Sequence, residues 1–329
     1  MRRREFIGLL ASAAATWPLA ARAQNAGDVR RIGILVNATE SDLEKQAELA
    51  TFRAGLEKLG WTEGHNVRFE YRWTAGSFER LNVYADELIA LAPDAILATN
   101  APTLDALRKR TRTIPIIFVQ VVDPVGESYV ASLARPGGNV TGFTHFEHAI
   151  AGKWMQLLKD IAPRVNKVAV VWNPNNVSVN GFMRWIWVDA PSSGLEPIEV
   201  HVRNAADIET AIARLSQTPN VGLIVPPDFT TVVNRAPLIA LAARHNLPAI
   251  YPFRLFADAD GLISYGINLR QMYGRAASYF HRVLQGEAPG ELPVQAPDRY
   301  ELVVNLKAAK ALGLEVPDNL IAIADDLIE

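Results

Sequence analysis

Apolar and polar positions along this chain alternate in two registers. Short β-branched runs read as buried strands, and longer segments between them carry helical spacing. Arg31-Ile32-Gly33-Ile34-Leu35-Val36 opens the series, followed by a helix over Leu43–Leu59. In that helix Leu43, Ala47, Ala50, Phe52, Leu56 and Leu59 form the apolar stripe, Glu44, Lys45, Glu48, Arg53, Glu57 and Lys58 take most of the other face, and Gly60 supplies the C-cap. Strand Asn66–Trp73, helix Phe78–Leu91, strand Ala95–Ala98, helix Pro102–Arg110 and strand Pro115–Val119 complete one doubly wound half.

Turn formers then interrupt the rhythm over Ala134-Arg135-Pro136-Gly137-Gly138-Asn139-Val140-Thr141-Gly142, the approach to a lobe boundary. The alternation restarts with helix Glu147–Ile161, strand Lys167–Trp172, helix Val179–Ala190 and strand Pro197–Val202. Helix Ala206–Leu215, strand Gly222–Val225, helix Val232–His245 and strand Leu247–Ile250 follow. Two similar α/β halves imply a cleft between them. Sheets of this kind bind ligands beyond the carboxyl ends of their strands, so the loops after each strand are the place to look.

Length and composition agree with two lobes, because 329 residues exceed what one hydrophobic core usually serves. The chain has no cysteine, which excludes disulfides, thiolate zinc sites, a cysteine nucleophile and a lipid anchor on cysteine. The first residues look like a twin-arginine export leader: Arg2, Arg3 and Arg4 precede an apolar stretch through Leu9–Ala15, and Ala21-Arg22-Ala23 offers a cleavage site before Gln24. Cleavage after Ala23 leaves a periplasmic protein and moves the net charge from −2 to −5. Without a concentrated basic face, nucleic acid is not an expected partner.

Several stretches carry recognisable wording. Val122-Asp123-Pro124-Val125, Leu133-Ala134-Arg135-Pro136-Gly137-Gly138-Asn139-Val140-Thr141-Gly142, Lys167-Val168-Ala169-Val170-Val171-Trp172-Asn173-Pro174 and the tail Glu301–Leu314 resemble a family of ABC-transporter substrate-binding proteins. The likeness spans about residues 30–329, and the family is similar to type I periplasmic binding proteins, including tryptophan-binding members. The resemblance implies two Rossmann-like lobes joined by a three-crossover hinge. Residues 28–144 plus 261–287 would form the N-terminal lobe, and residues 145–260 plus 288–329 the C-terminal one. Trp172, Trp185 and Trp187 make one region more aromatic than a generic member.

Enzyme chemistry finds little support. Gly261-Leu262-Ile263-Ser264-Tyr265-Gly266 has the wrong spacing for a nucleophile elbow, and His145-Phe146-Glu147-His148 lacks the helical spacing of a metal pair. Gly137-Gly138 reads as a tight turn rather than a dinucleotide loop. No cofactor is expected, and the phosphate-binding Gly-x-x-x-x-Gly-Lys-Ser/Thr motif of an ATPase is absent.

The strand-end loops remain as candidate ligand contacts: Thr39, Thr99, Asn100 and Asp123 on the first lobe, and Trp172, Asn173, Asp228 and Tyr251 on the second. Free N–H groups at helix starts suit a carboxylate, while Trp172, Tyr251, Phe229 and Phe253 offer an apolar wall. Each polar residue has an equally available role as a cap of its own helix, and each aromatic as core. The expected protein is a monomeric solute receptor that closes on a small molecule, an amino acid or aromatic carboxylate, and delivers it to an ABC permease. A secreted α/β enzyme and a ligand-sensing domain for a membrane signalling partner are the alternatives.

Overall fold

The computed structural model describes residues 29–329, so the segment expected to be an export leader lies outside the described residues. The first lobe runs β1 (Arg30–Val36), α1 (Leu43–Lys58), β2 (Val67–Trp73), α2 (Phe78–Ala90), β3 (Ala95–Ala98), α3 (Ala101–Arg108), β4 (Ile116–Val121) and β5 (Val140–Thr144). The second begins with α4 (Ile150–Ile161), β6 (Lys167–Trp172), α5 (Asn180–Asp189), β7 (Glu196–His201), α6 (Ala205–Leu215) and β8 (Val221–Ile224). It continues with α7 (Phe229–Val233), α8 (Arg235–Arg244), β9 (Ala249–Tyr251), α9 (Arg254–Ala257) and β10 (Ile263–Gly266). Helix α10 (Leu269–Leu284) returns to the first lobe, and β11 (Glu301–Asn305), α11 (Leu306–Ala311), α12 (Asp318–Ile323) and β12 (Asp326–Ile328) finish the second.

Among the described residues the first sheet is parallel in the order β2-β1-β3-β4-β5, and the second is ordered β12-β11-β10-β9-β8-β6-β7. Read from β7 to β10, the second sheet repeats the topology of the first. Each lobe therefore has its own switch point, between β1 and β3 and between β6 and β8, where neighbouring connections leave on opposite faces and open a crevice.

Fully buried β-branched and leucine side chains fill both sheets, as parallel strands covered on two faces require. Phe52 on α1 packs between Phe69 and Phe280, with ring centroids 6.3 and 4.9 Å away. Helix α10 lies close against α1 because Gly55 faces Gly274 and Ala277; a Cβ at Gly55 would stand 2.8 Å from that of Ala277. Burial on α1 falls on Glu48, Leu49, Phe52 and Leu56, whereas Leu43, Ala50 and Leu59 are exposed. The buried stripe thus includes a carboxylate that periodicity assigns to solvent.

The turn-rich stretch before residue 143 is not merely a breaker, because its end is β5. Gly142 permits this: a side chain there would put its Cβ 2.1 Å from the Phe118 carbonyl oxygen on β4. The single helix expected over 232–245 is two, α7 and α8, divided at Asn234. Pro237 explains the break, since its ring disfavours a continuous helix through the preceding turn.

The lobe boundaries also differ from expectation. Residues 261–267 do not return to the first lobe: β10 extends the second sheet beside β9 and β11. Residues 288–296, expected in the second lobe, are tied to the first. Gly137 N–H donates to Gly290 O (3.1 Å), Thr141 Oγ1 to Leu292 O (2.6 Å) and Thr144 N–H to Gln295 O (2.9 Å). The chain crosses between lobes after β5, after β10 and again just before β11. At these crossings Phe146 stacks on Tyr300 (6.1 Å), which meets Tyr265 at 5.6 Å.

Candidate functional site

The two switch points face each other across a cavity of about 630 Å³ between the lobes. From the first lobe come Asn37 beyond β1 and Thr99 and Asn100 beyond β3; from the second come Asn173 beyond β6 and Asp228 beyond β8. Phe78, Tyr129, Phe229 and Phe253 supply aromatic surface.

Four of the eight residues singled out from sequence line this cavity: Thr99, Asn100, Asn173 and Asp228. All four also hold the loops in shape. Thr99 Oγ1 donates to Leu35 O (3.0 Å) and lies 3.3 Å from the Asn37 N–H. Asn100 forms a reciprocal capping box with Thr103 at the start of α3. Asn173 Nδ2 donates to Thr230 Oγ1 (2.8 Å). Asp228 caps α7, accepting from the Thr230 and Thr231 N–H groups (2.9 and 3.3 Å), and takes a further bond from Asn176 Nδ2 (2.8 Å). Burial holds its carboxyl above the ordinary carboxylate pKa despite those donors. Helix capping and shaping the pocket are here one task.

The other four sit elsewhere. Thr39 is exposed and pairs with Ser41 (3.3 Å). Asp123 Oδ1 accepts the Gly126 N–H (2.8 Å), an Asx-type turn outside the cavity wall. Trp172 and Tyr251, each the last residue of its strand, are buried in the second lobe's core, Tyr251 stacked on Phe256 at 4.8 Å. Strand alternation turns these two rings away from the cleft.

A cluster that the sequence did not mark lies on the first-lobe wall. Lys45 Nζ donates to Glu48 Oε2 (2.5 Å), Gln120 Oε1 (3.2 Å) and Tyr273 OH (3.2 Å), joining α1, β4 and α10. Lys45, Glu48 and Gln120 line the cavity. Burial raises the Glu48 carboxyl, opposed by Lys45 beside it, and raises Tyr273 well above its ordinary value. Next to them His145, on the first crossover, stacks with Phe253 of the second lobe (6.2 Å, 12° between planes). Burial pulls His145 down to about 4. It is therefore neutral at pH 7, its Nδ1 has no partner, and its ring bonds toward the Val121 carbonyl. The one available signal in sequence was the Lys45/Glu48 pair, three residues apart just past the N-cap Asp42.

Ser264 lies inside β10, not on a strand-to-helix turn. His145 and His148 are separated in role, the second packing on Phe182 at 5.0 Å. Among the described residues no group of three His, Cys, Asp or Glu side chains is placed to hold a metal ion.

The model of the ABC transporter substrate binding protein family matches residues 31–328. The chain belongs to that family. A Tyrosine-binding protein from Clostridioides difficile (strain R20291) is 27% identical over 287 residues, covering 87% of this chain and 81% of that protein. Among solved structures, a conserved domain protein from Vibrio cholerae superposes with a TM-score of 0.85 at 27% identity, over 91% of this chain and all of the other. An ABC domain in complex with L-Trp from Streptococcus pneumonia superposes at 0.82 with 21% identity, over 92% of this chain and all of the other. This substrate-binding protein thus has the two-lobed fold of type I periplasmic binding proteins. It serves an ABC transporter as the protein that binds its small-molecule substrate. No helix among the described residues is long and apolar enough to cross a membrane.

Proposed function

We propose that this substrate-binding protein is exported by its twin-arginine leader, acts as a monomer, and captures an aromatic amino acid for release to its permease without chemical change. The interlobe cavity carries the reading: its size falls in the usual range for small-ligand sites, about 300–1,000 Å³, and polar loops from both lobes share it with aromatic rings. Phe78, Tyr129, Phe229 and Phe253 suit a planar side chain. The Lys45, Glu48 and Gln120 wall suits a zwitterionic head group. The names of the related proteins, tyrosine-binding in one case and complexed with L-Trp in another, point to the same class.

A thermal-shift panel of L-Tyr, L-Trp, L-Phe, aliphatic amino acids, sugars and nucleosides tests it. A ligand at 100 times its dissociation constant adds about 2.7 kcal/mol to native stability. Stabilisation by aromatic amino acids is the expected result; a response to sugars or nucleosides with none to aromatic amino acids overturns the ligand class.

A further inference from the structure

Gln120 holds a backbone conformation that glutamine rarely adopts. Its φ is +56°, at the point where the β4–β5 register shifts between Phe118 and Val121. A non-glycine residue in the left-handed region costs on the order of 1 kcal/mol or more and persists where the surroundings enforce it. Such outliers concentrate at sites of function. Here the strained backbone puts the side chain on the cavity wall.

The amide has only one possible orientation. Lys45 Nζ is a donor with no acceptor, so the Gln120 atom 3.2 Å from it must be the carbonyl oxygen. Lys45 is fixed in turn by Glu48 and Tyr273, held on α1 and α10. The Gln120 Nε2 group, with two N–H donors, has no hydrogen-bond partner among the described residues and is left to the cavity that the side chain lines. All three Lys45 protons are directed at protein acceptors, so its ammonium positions the amide rather than offering a free donor.

We infer that Gln120 Nε2 donates to the carboxylate of the bound amino acid, with Lys45 behind it as the group that orients the amide. Gln120 is then the residue that selects ligands bearing a carboxylate over amines of the same shape. This inference rests on the aromatic amino acid reading.

The test compares L-tyrosine with tyramine, which keeps ring and amine but has no carboxylate, by calorimetric titration of wild type, Gln120→Gly and Gln120→Glu. Glycine relieves the left-handed backbone and so offsets the lost Lys45–Gln120 hydrogen bond, and retained tyramine binding reports that the Gln120→Gly protein is folded. Its affinity for L-tyrosine should fall about tenfold or more, with tyramine unchanged, because only the carboxylate loses a donor. Gln120→Glu should weaken L-tyrosine further still, since a carboxylate then faces a carboxylate, while tyramine binding holds or improves. A Gln120→Gly protein that keeps the wild-type preference for L-tyrosine over tyramine overturns the role of Gln120 and leaves the ligand class standing. A wild type that binds none of L-Tyr, L-Trp and L-Phe overturns the ligand class, and this inference with it.

Discussion

Phe229, at the start of α7 in the second lobe, rests on Gly76 in the first: a Cβ at Gly76 would lie 2.8 Å from Phe229 Cε1. Gly76 has φ +77°, and both residues line the interlobe cavity. This contact bridges the cleft, so it exists only when the lobes are close. Ligand shifts a two-state hinge by binding the closed form better, and anything that weakens the bridge lowers apparent affinity.

Gly76→Val therefore adds a side chain where both space and backbone angle exclude it. The variant should bind ligand at least tenfold more weakly, about 1.4 kcal/mol, and small-angle scattering should show a larger radius of gyration than wild type with ligand present. Wild-type affinity and radius in Gly76→Val would show that the contact has no part in closure.

Asp123 separates two roles that sequence leaves open. Its carboxylate accepts the Gly126 N–H at 2.8 Å, and a Cβ at Gly126 would meet Asp123 Oδ2 at 2.2 Å, so the turn is tight. Asp123→Asn should lower the melting temperature modestly, by about 1 kcal/mol of stability, and change affinity for zwitterionic and neutral ligands alike. Selective loss of amine-bearing ligands, measured by calorimetry, would instead place Asp123 on the ligand.

His145 links stability to pH. Its folded-state value is pulled from 6.5 to about 4 by burial, so below pH 6.5 the unfolded chain takes up a proton that the folded one refuses. Stability from this residue is full above about pH 6.5 and is lost as pH falls toward 4, on the order of 3 kcal/mol in all. Burial raises Glu48 and Asp228, which act in the opposite sense at low pH. Comparison with His145→Phe isolates the histidine: denaturant titrations at pH 7 and pH 5 should show a smaller loss in the variant. An equal loss in both proteins would mean that His145 titrates normally.

Much of the architecture was legible because buried parallel strands leave unbroken runs such as Ile32–Val36 and Val168–Trp172. Strand β5 was not, since Gly142, chosen for close approach to Phe118, carries the same mark as a turn. The loops that line the cavity were legible by rule, as residues following strands at a switch point: Thr99, Asn100, Asn173 and Asp228 all reach it. Trp172 and Tyr251 end strands too, but which face a final strand residue takes depends on register, which one chain's pattern does not reveal. The Lys45, Glu48, Gln120 and Tyr273 cluster was hidden for another reason. It is assembled from positions 228 residues apart at the extreme, and a charged pair on a helix ordinarily belongs to solvent.

Calorimetric titration of protein stripped of any carried-over ligand, by unfolding and refolding, addresses the central claim most directly. The expected result is one site per chain for L-tyrosine or L-tryptophan, with a negative heat-capacity change from burial of the aromatic ring in the cleft. Saturable binding of a sugar or nucleoside, together with no heat from any aromatic amino acid, would contradict it.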